Sequence, residues 1–75
     1  MNESKPRPAH PGLISFGRSQ TECNIRSISP FGAALDVREA RSVPEEFALT
    51  LLPEGERRRC AVVWRKETRI AVAFY

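Results

Sequence analysis

Seventy-five residues with 41% apolar side chains describe one small domain, too short to hold a second, catalytic one. A net charge of +3, from twelve Lys/Arg and nine Asp/Glu, admits an anionic ligand but lacks the concentrated positive charge of a general nucleic-acid binder. The longest apolar run, residues 70–75, cannot span a bilayer, and no apolar stretch of a signal peptide follows residues 1–6, so a cytoplasmic protein without membrane insertion is expected.

Residues 1–12 hold Pro6, Pro8 and Pro11 and almost no large apolar side chain. That composition predicts an extended, flexible arm, made basic by Lys5, Arg7 and His10. Residues 13–75 then read as one β domain. A first strand covers residues 13–16, and Gly17-Arg18-Ser19-Gln20 turns the chain. A second strand covers residues 21–29, with Cys23 and Ile25 on one face and Glu22, Asn24 and Arg26 on the other. Ile28 breaks the alternation, which predicts a bulge or a change of face just before the next turn.

Ser29-Pro30-Phe31-Gly32 has Pro and Gly where a type I turn favours them. Ala33, Leu35 and Val37 alternate with Ala34, Asp36 and Arg38 in a third strand. The charged stretch 38–46 is a longer crossover with room for a helical turn. Residues 47–52 form a fourth strand, Pro53-Glu54-Gly55-Glu56 a turn, residues 57–65 a fifth strand and residues 69–75 a sixth. In the fifth, Cys60, Val62 and Trp64 alternate with Ala61, Val63 and Arg65, which assigns Trp64 to the core. Six short strands predict an all-β antiparallel barrel or sandwich, with closure hiding the edges.

The residues give little support to enzymatic chemistry. His10 stands alone in the arm, the acidic residues are scattered, and the four glycines sit singly instead of forming a phosphate loop. Cys23 and Cys60 lie in apolar strand patterns, which favours buried thiols in a reducing compartment over a disulfide. With the single His they match no common zinc spacing, so no metal and no cofactor are expected. The run Arg57-Arg58-Arg59 reads first as a solvated edge that discourages edge-to-edge pairing, with a polyanion contact as the alternative. Phe16, Phe47 and Phe74 fall on the core face with Trp64, while Phe31 and Tyr75 are left free. This argues against a base-stacking nucleic-acid barrel.

Four phrases occur in one order. They are Cys23-Asn24-Ile25-Arg26-Ser27-Ile28-Ser29-Pro30-Phe31-Gly32-Ala33-Ala34-Leu35, then Val43-Pro44-Glu45-Glu46-Phe47-Ala48-Leu49, then Arg59-Cys60-Ala61-Val62-Val63-Trp64-Arg65, then Arg69-Ile70-Ala71-Val72-Ala73-Phe74. Together they resemble the PilZ domain, closest to its short single-domain proteobacterial members. The resemblance implies a six-stranded antiparallel barrel, here without the C-terminal helix that many members carry. It also implies a receptor for cyclic di-GMP that works through contacts with a protein partner. The family binds through RxxxR in the arm and [D/N]xSxxG at the following turn. Ser29 and Gly32 match the second motif, and Ser27 stands where Asp or Asn is expected. The best register puts Pro6 and His10 at the two Arg positions, with Lys5 and Arg7 the nearest cations. Ala71 replaces the family's Gly in the last strand, and Arg65 and Arg69 have RxxxR spacing only by chance. The resemblance thus implies a ligand set of Lys5, Arg7, His10, Ser27, Ser29 and Gly32. The alternative is a degenerate barrel that binds no nucleotide and acts as a protein-interaction adaptor.

Overall fold

A computed structural model describes residues 10–75. The runs of alternating apolar residues form six strands: β1 His10–Phe16, β2 Ser19–Ile28, β3 Gly32–Asp36, β4 Glu46–Leu51, β5 Glu56–Lys66 and β6 Arg69–Phe74. All neighbouring pairs are antiparallel, and the order β1-β2-β3-β6-β5-β4 closes into a barrel through β1 and β4. One 3-10 helix, Ala40–Ser42, sits in the crossover between β3 and β4. The architecture is therefore an all-β, closed six-stranded barrel without an α-helix among the described residues. No helix there is long and apolar enough to cross a membrane.

Away from irregularities in β2 and β5, every second residue points inwards, as the period of a pleated strand requires. Ile14, Ile25, Leu35, Leu49, Ile70 and Cys60 are fully buried, and Phe16, Ala33, Leu51, Val62 and Phe74 pack around them. No polar or charged residue is buried among the described residues. Cys23 and Cys60 are free buried thiols, as the strand pattern predicts. Burial pushes the Cys23 thiol up to about 12, with the neighbouring Cys60 adding to the shift. Cys60 rises to about 11 for the same first reason, although Arg58 pulls the other way.

Three expectations need correction. The barrel starts at His10, not residue 13, because His10, Pro11 and Gly12 pair with Ile25, Asn24 and Cys23. Trp64 is not a core residue; it is 48% exposed. A register shift between Val62 and Trp64 inserts Val63 as a bulge. Val62 stays on the inner face opposite Val72, and Trp64 moves to the outer face opposite Ala71. Nor is β5 an edge, since it pairs with β4 on one side and β6 on the other. Its arginines therefore protect nothing from edge pairing.

The same bulge sends Arg65 towards the barrel end, where it holds the crossover. Its Nη1 donates to the carbonyl oxygens of Ala40 at 2.7 Å and Val43 at 2.6 Å, and Nη2 reaches Glu45 at 3.4 Å. Arg69 pairs with Asp36 at 3.2 Å. The RxxxR spacing of these two is thus occupied by structural contacts.

Candidate ligand-binding face

The β2–β3 hairpin is closed by Pro30 and Phe31. Ser29 N–H donates to the Gly32 carbonyl at 2.9 Å. The Ser29 hydroxyl accepts the Phe31 N–H at 3.1 Å, the local hydroxyl-to-backbone bond of a serine turn. Gly32 lies against β6, opposite Ala73. A Cβ there would overlap the Val72 carbonyl oxygen, which is backbone and cannot swing aside. Ser29 and Gly32 therefore have structural reasons for their identity. The Phe31 ring projects from the tip, 82% exposed.

A second bulge lies one turn back. The β2–β3 register shifts between Ile25 and Ser27. Strict alternation from Ile25 would turn Ser27 inwards and Ile28 outwards. The bulge at Arg26 reverses this for Ser27. Ser27 pairs with Ala34 on the outer face, and Ile28 pairs with Ala33 at the end of β2, where it remains 41% exposed. The irregularity predicted at Ile28 is real, and it originates two residues earlier.

The two bulges act together. Ser27 stands opposite Ala34, Ala34 opposite Ala71, and Ala71 opposite Trp64. One outward row thus runs across β2, β3, β6 and β5, with a hydroxyl at one end, an indole at the other and a low floor of methyl groups between. At the usual strand spacing its ends lie about 14 Å apart. Beside this row Asp36 is clasped by Arg26 at 3.2 Å and by Arg69 at 3.2 Å, so two guanidiniums flank a single carboxylate. The pair of Gly32, which has no side chain, and Ala73 extends the low floor towards the hairpin tip.

Of the predicted ligand set, the structure brings Ser27, Ser29 and Gly32 to one end of β2 and β3. His10 is exposed at the start of β1, opposite Ile25, two residues from Ser27. Lys5 and Arg7 lie outside the described residues. Arg26, Arg69 and Trp64 were not in the predicted set. Their presence on this face follows from register and bulges, which alternation alone does not reveal. No group of three His, Cys, Asp or Glu that could hold a metal ion occurs among the described residues.

Compared with family models, curated proteins and solved structures, the chain matches none.

Proposed function

We propose that this barrel is a non-enzymatic, cytoplasmic binding module for a guanine-bearing cyclic dinucleotide, cyclic di-GMP. The observation that carries the reading is the outer row Ser27, Ala34, Ala71 and Trp64, beside Arg26. Such a ligand is two flat purines joined by anionic phosphodiesters. A floor of alanines leaves room for a ring to lie against the sheet. The exposed indole offers a stacking surface, which contributes about 1–3 kcal/mol per base in comparable sites. Arg26 is half-exposed and supplies a planar guanidinium for a guanine edge or a phosphate. Ser27 adds one short hydrogen-bonding group, and the exposed His10 adds an imidazole that can stack or hydrogen-bond. The likeness of the four sequence phrases to PilZ domains supports the same ligand, and binding would present a changed surface to a protein partner.

A second reading has its own support. The Ser29 hydroxyl is engaged within its turn, and Phe31, Val63 and Tyr75 are exposed apolar groups. These features suit an adaptor that meets a protein without any nucleotide.

Calorimetric titration of the full chain with cyclic di-GMP separates the two. The receptor reading expects saturable binding at micromolar ligand, a shift in Trp64 fluorescence, and loss of both in Arg26→Gln. Absence of heat and of a fluorescence change at near-millimolar ligand overturns it and leaves the adaptor.

A further inference from the structure

The run on β5 divides into three unlike arginines. Arg58 pairs with Glu56 at 2.8 Å and lies over the Phe74 ring. Arg59 lies over the Tyr75 ring, 5.6 Å from its centroid. Arg57 has no carboxylate partner among the described residues. Together with Arg18 it lines a depression of about 430 Å³ on the outside of the barrel. Arg18 is likewise without a carboxylate partner among the described residues.

Local sequence explains why these groups converge. Gly17, at φ +57°, and Arg18 form the two-residue loop between β1 and β2. Positive φ at the first loop position suits a tight hairpin, which leaves Arg18 at the loop tip. Arg57 pairs with Thr50 across β4 and β5, and Ser15 pairs with Gln20 across β1 and β2. Gln20 Nε2 also reaches Ser15 Oγ at 3.4 Å. The remaining polar side chain is Ser19. None of the lining side chains is acidic.

We infer that this depression binds a phosphate monoester. Two guanidiniums oppose its charge and donate in the paired geometry that phosphate oxygens accept. The hydroxyls of Ser15, Ser19 and Thr50 and the Gln20 amide satisfy the oxygens that remain. A cation finds no carboxylate there, and an apolar ligand finds mostly polar walls. The site is separate from the Ser27 face. β2 runs ten residues from Ser19 to Ile28, which places the two hairpins about 30 Å apart along the strand. The monoester has two natural sources, a free phosphorylated metabolite and a lipid headgroup.

Amide NMR of the full chain tests the assignment, with glycerol 3-phosphate as probe and glycerol as control. Shifts at Gly17, Arg18, Ser19 and Arg57 should saturate with the phosphate and stay still with glycerol. Arg18→Gln and Arg57→Gln should each weaken binding at least about fivefold, since each removes a charge-assisted contact at a partly solvated site. Lys66→Gln, with the same loss of charge elsewhere, should leave the affinity unchanged. The phosphate's second ionisation lies at about 6, so affinity should rise about fourfold between roughly pH 5.5 and 7.5. Flotation with vesicles of phosphatidylcholine and phosphatidic acid, against phosphatidylcholine alone, assigns the source. Flotation with phosphatidic acid supports the lipid, and its absence beside binding of the soluble ester supports the metabolite. Shifts that never saturate, or an equal loss in Lys66→Gln, overturn the proposal by reducing it to general charge attraction. Silence towards cyclic di-GMP leaves this test untouched, because the two ligands meet different residues.

Discussion

Replacing Arg65 with Met should destabilise the barrel far more than removal of an ordinary surface arginine. Arg65 donates to two backbone carbonyls of the β3–β4 crossover, at 2.7 and 2.6 Å. A hydrogen bond from a charged group contributes roughly 1.5–3 kcal/mol. Water reaches the guanidinium, whose side chain is 27% exposed, and can replace part of what is lost. A net cost of about 2–4 kcal/mol is therefore expected. Glu45, at 3.4 Å and 82% exposed, adds little, about 0–1 kcal/mol. For a chain of this length total stability is about 4–11 kcal/mol, so Arg65→Met should still fold but melt lower, by about 4–8 °C for each kcal/mol. Urea unfolding followed by circular dichroism gives the difference directly. Arg65→Lys should recover only part, because a shorter, freely rotating ammonium lacks the fixed plane in which Nη1 aims its two N–H bonds at the carbonyls. Glu45→Gln should fall within about 1 kcal/mol of the wild type. A cost below about 0.5 kcal/mol for Arg65→Met, the range of ordinary surface changes, would refute the view that this side chain locks the crossover.

Gly32→Ala should cost about 1–3 kcal/mol in urea unfolding, since the added methyl meets the Val72 carbonyl and the hairpin must shift away from β6. Trp64→Ala should cost less than about 1 kcal/mol, whereas a core Trp would cost about 3–5, so one denaturation curve decides between an outer and an inner indole. The two thiols set an alkaline limit. Their folded pKa values, about 12 and about 11, stand above the ordinary thiol value of 9.0, so the native state holds its protons longer than the unfolded chain. This stabilisation is complete below pH 9 and is lost as pH rises through the window between 9.0 and the folded values. Cys60→Ala should flatten that fall by up to one proton's worth of slope, measured as the difference between the two unfolding free energies from neutral pH to about pH 11.

Strand number, strand order along the chain and most of the core were legible because period-two alternation is a local property. Cys23 and Ile25, Leu35, Leu49, Ile70 and Val72 all face inwards as their spacing predicts. Closure is expected both as a means of hiding edges and from the six-stranded barrel that the resemblance implies, and the β1–β4 pairing provides it. What alternation could not supply was its own interruptions. A bulge adds one residue and reverses every assignment beyond it. In β5 that single residue exchanged the expected sides of Trp64 and Arg65. In β2 the broken pattern at Ile28 was visible, but only the partner strand fixed the extra residue at Arg26. The start of β1 was missed for another reason. His10-Pro11-Gly12 is rich in residues that weaken strands, yet pairing with Ile25, Asn24 and Cys23 overrides that local preference.

The distribution of cations follows from the same geometry. Arg65 serves the crossover, Arg58 pairs with Glu56, and Arg26 and Arg69 share Asp36. A shared carboxylate neutralises only one of two guanidiniums, so the Ser27 face keeps a residual positive charge beside its alanine floor. Arg18 and Arg57 keep both of theirs across a wall of hydroxyls. The modest net charge of +3 therefore conceals, among the described residues, positive fields at both ends of β2, each offered to a different arrangement of donors. One has an indole and a flat floor, which suits a ring. The other has hydroxyls and no aromatic, which suits a compact anion. Exchanging their features tests this division. Trp64→Ala should weaken binding of a cyclic dinucleotide and leave binding of glycerol 3-phosphate unchanged, while Arg57→Gln should do the reverse. If either substitution weakens both ligands equally, with the fold intact by circular dichroism, the two fields are one and the division fails.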